Sequence, residues 1–167
     1  MDVILVRHAI AEKRDASRWP EDALRPLTDH GRERFAPAAR GITDLVERVD
    51  IVLASPYVRA WQTADILAEE AGWPEPDVCT ELAAHAPVTD ALVVLTRLPS
   101  DITVACIGHE PNMTILAQAL VRPKDAHDLG WFKKGGAAHV RFSKGVVVGG
   151  GRLLWACTPK ELRQLDA

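Results

Sequence analysis

An arginine and a histidine, Arg7 and His8, close the first apolar run of the chain, Val3-Ile4-Leu5-Val6. A buried strand has no packing reason to end in adjacent cationic and imidazole groups. A phosphate site does, because guanidinium grips phosphate oxygens through a planar fork and imidazole attacks phosphorus as a nucleophile. Taken alone, the pair also fits a solvated strand end. Two later segments repeat the pattern. Arg59 stands in the first turn of a helix that follows a second apolar run, where its charge opposes the helix dipole unless an anion is near. Gly108-His109-Glu110-Pro111-Asn112 closes the strongest strand-like run of the chain, with Gly108 permitting a tight turn or a close approach to a ligand. If these strands are parallel neighbours, the groups at their ends converge on one spot, where open α/β sheets bind ligands.

The elements that must position them are strands at 3–6, 51–54, 77–82, 102–108, 137–142 and 153–157, alternating with helices. Between the first two strands, Phe35, Ala38, Ala39, Ile42, Leu45, Val46 and Val49 recur at helical spacing. Thr28 is the N-cap of that stretch, and Pro37 either kinks or splits it. Ser55-Pro56 reads as a capping hydroxyl before a first-turn proline, opening a helix through Ala71 that Gly72 and Pro74 end. Further helices are expected at 90–98 and 112–121, and Thr158-Pro159-Lys160-Glu161 forms a capping box for a last short helix. Strands alternating with helices, with a hairpin-like pair late in the chain, predict a three-layer α/β/α sandwich around a mostly parallel six-stranded sheet.

At 167 residues, with 47% hydrophobic and 26% charged residues, the chain reads as one ordinary globular domain, 1–167. A formal charge of −3, with no Lys/Arg cluster interleaved with aromatics, excludes non-specific nucleic-acid binding. No signal-peptide core and no spanning apolar run is present, so the cytoplasm is the expected location and no membrane partner is expected. Cys79, Cys106 and Cys157 stand singly, which argues against disulfides and zinc knuckles. His30, His85, His127 and His139 read as structural or solvated residues. Trp19 and Trp131 fall in loops, where they can border a cleft. Lys13, Arg14 and Arg18 follow the His8 segment and read as a solvated run, or as a lure for an acidic or phosphorylated partner. Lys133-Lys134-Gly135-Gly136 reads as a turn before a strand.

Leu5-Val6-Arg7-His8-Ala9, Leu27-Thr28 with Gly31, Ser55-Pro56-Tyr57-Val58-Arg59-Ala60 with Gln62-Thr63-Ala64, and Gly108-His109-Glu110-Pro111-Asn112 together resemble the ordered signatures of the histidine phosphatase superfamily. The compact length and the last two motifs resemble its SixA-type phosphohistidine phosphatase branch. The resemblance runs from the first strand to about Asn112 and weakly through Gly135-Gly136. It implies a phosphoglycerate mutase-like fold, His8 as the nucleophile that becomes a phosphohistidine, and Arg7, Arg59 and His109 as the clamp on the phosphoryl oxygens. It also implies that neither cofactor nor metal is needed. Two arginines and a histidine can supply the positive charge that phosphoryl transfer requires. Repulsion from Arg7 and Arg59 should keep the His8 ring neutral. Members acting on esters carry an acidic residue that protonates the leaving group, and Glu81, expected at a strand end, is the candidate here. The Gly-containing stretch that follows that acid in the family is replaced by Leu82-Ala83-Ala84-His85-Ala86-Pro87.

The leading expectation is therefore a monomeric phosphatase that removes phosphate from phosphohistidine in a protein such as a histidine phosphotransfer domain. The stretch from Arg59 to His109 leaves no room for a cap domain, so the site should be open enough to admit a side chain displayed on another protein. A broad phosphatase of small metabolites, sugar phosphates or nucleotides, shares the chemistry. A mutase fits less well, since it needs an enclosed site. A non-catalytic phospho-binding module is the reading from a different class, and the full set of Arg7, His8, Arg59 and His109 argues against it.

Overall fold

Along the first strand, β1 (Asp2–Arg7), successive side chains point to opposite faces, and both faces are covered. Val3 and Leu5 join one apolar cluster while Ile4 and Val6 join another, all four without exposed surface. The structure, a computed structural model, describes residues 1–166. The other strands are β2 (Ile51–Ala54), β3 (Asp77–Val78), β4 (Thr103–Gly108), β5 (Ala137–Arg141) and β6 (Arg152–Cys157), arranged in one sheet in the order β3-β2-β4-β1-β5-β6. The pairs β2–β3, β2–β4 and β1–β4 are parallel, whereas β1–β5 and β5–β6 are antiparallel. The sheet is thus mixed, not mostly parallel. The late hairpin needs no crossover helix, so its strands run in opposite directions.

Helices α1 (Asp29–Ile42), α2 (Val58–Ala71) and α5 (Pro159–Leu165) cover one face through Phe35, Ile42, Ala64, Leu67 and Leu162. Helices α3 (Val88–Thr96) and α4 (Asn112–Leu120) cover the other through Ala91, Leu95, Met113, Leu116 and Leu120. This is the three-layer sandwich. Each buried Leu or Ile contributes about 1.5–3 kcal/mol of apolar transfer.

Pro37 lies inside α1 and does not split it. Its missing N–H leaves the carbonyl of Glu33 without a donor, but Glu33 is exposed, and Phe35, Ala38, Ala39 and Ile42 hold the helix to the sheet. The helix stops at Ile42, short of the apolar periodicity, where the Thr43 hydroxyl takes the carbonyl of Arg40 at 2.7 Å. Val46 and Val49 remain buried from the loop that follows. Thr28 caps α1 by accepting from the amide of Gly31, Gly72 ends α2 at φ +66°, and the Thr158–Glu161 capping box opens α5.

Strand β3 is shorter than the alternation of its residues implies. β2 ends at Ala54, so pairing stops once the amide of Cys79 has reached the Ala54 carbonyl. The chain then turns through a single 3-10 turn, Thr80–Leu82, that tucks Leu82 into the core.

Candidate active site

Parallel neighbours finish on the same edge of the sheet. Arg7 pairs with Gly108 and Ala54 with Ile107. The next amides continue the ladder: His8 N–H donates to the Gly108 carbonyl and Ser55 N–H to that of Ile107, both at 3.0 Å. His8, Ser55 and His109 therefore leave the sheet side by side, and the ring centroids of His8 and His109 are 5.2 Å apart.

The Nδ1 atom of His8 lies 2.7 Å from the carbonyl oxygen of Ala9. A carbonyl only accepts, so Nδ1 carries the proton and Nε2 keeps its lone pair. Burial, with 6% of His8 exposed, pushes the ring pKa down to about 3, and the charges of Arg59, Arg7 and Arg25 add to the effect of burial. Burial contributes more than the repulsion expected from the sequence. The ring is neutral at neutral pH.

Three guanidinium groups surround it. Arg7 donates from Nη1 to the Phe132 carbonyl at 2.6 Å, and its buried Nε has no partner. Arg59 is only 2% exposed. It donates to the carbonyl and carboxylate of Asp22 at 2.8 and 2.9 Å and lies over the Tyr57 ring, with its Nε unpartnered. Arg25, which sequence reasoning did not single out, donates from Nε to Asp22 at 2.9 Å and from Nη1 to the carbonyl of Glu12 at 2.7 Å. Burial raises the Asp22 pKa, but the hydrogen bond from Arg25 and the charge of Arg59 prevail and hold it below its ordinary value. One carboxylate thus fixes two cations while leaving donor atoms of both uncommitted.

His109 is 2% exposed. Its Nε2 lies 2.8 Å from Oγ of Ser55, and its buried Nδ1 has no partner. Burial pushes its pKa down to about 2; the adjacent His8 ring, with which it would share repulsion if both were protonated, and the charge of Arg59 lower it further. Ser55 is not the cap of α2 that Ser55-Pro56 suggests. That helix begins at Val58, and the Ser55 hydroxyl instead accepts from the amide of Tyr57 at 3.3 Å and meets His109.

The remaining motif residues build the frame. The Thr63 hydroxyl accepts from the amide of Ala9 at 3.0 Å and donates to the carbonyl of Arg59 at 2.7 Å, tying the His8 loop to α2. Gln62 accepts from the amide of Leu27 at 2.8 Å. At Gly31 a Cβ would collide with the carbonyl of Ile10, which receives the amide of Thr28, so α1 packs directly on the His8 loop.

Arg7, His8, Arg25, Arg59 and His109 line an open cleft of about 340 Å³ together with Lys134. Lys13 and Arg14 reach its rim, whereas Arg18 pairs with Glu12 and stacks on Trp19. Two carboxylates, Glu12 and Glu110, border it. Glu110 accepts from the amide of Phe132 at 2.8 Å and the hydroxyl of Thr114 at 2.7 Å, and its other oxygen is buried without a partner. Among the described residues, no group of three or more His, Cys, Asp or Glu side chains is placed to hold a metal ion.

Glu81 does not reach the cleft. The 3-10 turn that buries Leu82 points it elsewhere, beside Leu82, Val88 and Asn112. Hydrogen bonds from its own amide, Cys79 and Thr80 hold its carboxyl below the usual range. The structure thus does not bring Glu81 together with Arg7, His8, Arg59 and His109. Trp19 and His85 border a neighbouring cavity with Arg14 and Asp22, and His139 is a buried structural ring 2.6 Å from Asp2. Cys79 and Cys106 are buried and unpaired.

Residues 3–85 match the profile of the histidine phosphatase superfamily (branch 1). An uncharacterized protein of Picosynechococcus sp. is 33% identical over 137 residues, 81% of this chain and 82% of its own. The protein histidine phosphatase SixA, solved with tungstate, superposes with a TM-score of 0.83 at 26% identity, over 97% of this chain and 99% of that one. A chain assigned as the phosphohistidine phosphatase SixA of Nakamurella multipartitia superposes with a TM-score of 0.77 at 25% identity, over 95% of both chains. A profile that spans the Arg7-His8 and Arg59 motifs, and a relative that aligns over four-fifths of the sequence, agree with the geometry of the cleft: the chain belongs to the histidine phosphatase superfamily, with a SixA-like fold.

Proposed function

We propose that this chain is a metal-independent phosphatase that carries the phosphoryl group on Nε2 of His8, and that its substrate is phosphohistidine displayed on a protein, such as a histidine phosphotransfer domain. The observation that carries the reading is the His8 Nδ1–H bond to the Ala9 carbonyl, which leaves a neutral, unprotonated Nε2 beside the uncommitted donors of Arg7 and Arg59.

In the first step the Nε2 lone pair attacks phosphorus, and the bond to the leaving nitrogen breaks with its electron pair returning to that nitrogen. A substrate imidazole protonated at its other nitrogen departs neutral, so no acid is required. Arg7, Arg25 and Arg59 hold the negative charge on the equatorial oxygens. With Nδ1 protonated, His109 offers one further donor while Nε2 accepts from Ser55. The phosphorylated His8 ring carries a positive charge, which makes it a good leaving group. In the second step water attacks phosphorus and gives up a proton to solvent, the P–Nε2 bond breaks, and orthophosphate leaves with His8 neutral again.

The donor set favours an anion over a divalent cation, since three guanidinium groups repel metal ions. Two further observations support the reading. A SixA neighbour was solved with tungstate, a tetrahedral oxyanion of phosphate's shape. Glu81 does not line the cleft, which favours a substrate whose leaving group needs no acid. The test compares kcat/KM on a phosphohistidine-bearing phosphotransfer domain with that on sugar phosphates and nucleotides, using wild type and His8→Ala. The phosphoprotein should be preferred and His8→Ala inactive. Equal or better turnover of the metabolites would make the chain a general small-molecule phosphatase instead.

A further inference from the structure

We propose that a second, cationic cleft beside the catalytic one docks an acidic segment of the protein that presents the phosphohistidine; the inference rests on the substrate reading above. This cleft, about 350 Å³, opens between α1, α5 and the segment before β5. Arg34, Lys133, Lys134, Lys160 and Arg163 line it over the ring of Phe35, and no carboxylate does. Five cations converge here on a chain whose formal charge is −3. Among the described residues none of the five takes part in an ion pair. Three acids of α2 and the C-terminal segment are engaged elsewhere: Glu161 accepts from the amide and hydroxyl of Thr158, and Glu70 and Asp166 pair with Arg40. Crowding shows in the cations themselves. Burial lowers the pKa of Lys134, and Arg7 and Arg25 lower it further; burial and then Arg34 do the same to Arg163.

The two clefts are neighbours, because Lys134 lines both. A ligand anchored in one therefore lies against the mouth of the other. Arg34, Lys133, Lys134 and Lys160 are solvent-exposed. Exposed cations do not form the buried fork that grips the second phosphate of a small metabolite, but they do steer and orient an acidic macromolecular surface. The same surface extends to Trp131, 68% exposed, which borders a third hollow that shares Lys133. Tryptophan is among the residue types enriched at protein interfaces.

The test uses a double variant, Arg34→Glu with Lys160→Glu, which touches none of the groups around His8. Two substrates are compared: phosphoramidate, which carries only a P–N bond, and a phosphohistidine-bearing phosphotransfer domain, labelled with phosphoramidate and freed of it. The variant should lose about tenfold in kcat/KM on the phosphoprotein, chiefly through KM, with the loss shrinking as salt is raised. Its rate on phosphoramidate should match wild type, which also reports correct folding. A short polyglutamate peptide should compete with the phosphoprotein and leave phosphoramidate turnover alone. Unchanged kcat/KM on the phosphoprotein, while wild type hydrolyses it, overturns the docking site and leaves the substrate reading standing. Equal loss on both substrates also overturns it, placing the cations' effect in the catalytic cleft. Failure of wild type on every phosphoprotein, with good turnover of metabolites, removes both.

Discussion

The hydroxyl of Ser55 lies 2.8 Å from Nε2 of His109, so a residue at the end of β2 sets the ring of a residue at the end of β4. Parallel pairing brings the two together, and burial of both leaves neither another partner of equal quality.

Ser55→Ala leaves Nε2 of a buried ring unsatisfied, at a cost of about 1–3 kcal/mol. If that ring must be oriented for phosphoryl contact, kcat/KM on a phosphohistidine substrate falls by about ten- to a hundredfold. Steady-state kinetics and urea denaturation of the variant check both effects. Loss of stability without loss of turnover would show that His109 needs no such support.

Gly31→Ala places a Cβ on the carbonyl of Ile10, which is backbone and cannot swing aside. The helix α1 and the His8 loop must separate, with a stability loss of about 1–3 kcal/mol and a fall in kcat. Thermal unfolding and kcat measured on the same preparation test this.

Acid should destabilise the ligand-free protein well above the range where carboxylates titrate. His8 and His109 have folded pKa values pushed down to about 3 and about 2, from an ordinary 6.5. The unfolded chain therefore binds more protons below pH 6.5, and the stability these rings contribute is full above that pH and drains as pH falls toward 3. Between pH 7 and 5 each ring accounts for about 2 kcal/mol. Urea midpoints across that window should fall, and replacing either ring with Asn should flatten the slope.

Glu81→Gln should leave turnover of both P–N and ester substrates within about twofold of wild type, because the carboxylate lies outside the cleft and is already ionised. A large selective loss on p-nitrophenyl phosphate would return Glu81 to the mechanism.

Much of this site is legible in the sequence because strand ends are. Arg7-His8 and Gly108-His109 terminate apolar runs, and parallel pairing alone makes them neighbours. Arg25 is illegible for the opposite reason. It lies in a polar loop with several other cations, and only the folded position of Asp22 tells which of them faces His8. Ser55 is misread because capping a helix and orienting a ring call for the same hydroxyl. Glu81 is misplaced because Val78 and Thr80 keep the alternation of a strand beyond the point where β2 can pair with it. Val46 and Val49 likewise keep helical spacing after the backbone has left the helix, since a core accepts side chains from loops as readily as from α1.

The most direct measurement is rapid-quench trapping of the enzyme during turnover of a phosphohistidine protein, followed by peptide mapping and ³¹P NMR. The account predicts an acid-labile, alkali-stable phosphoryl group on Nε2 of His8 that is absent from His8→Ala. Label on another residue, or label that persists in His8→Ala, would contradict it.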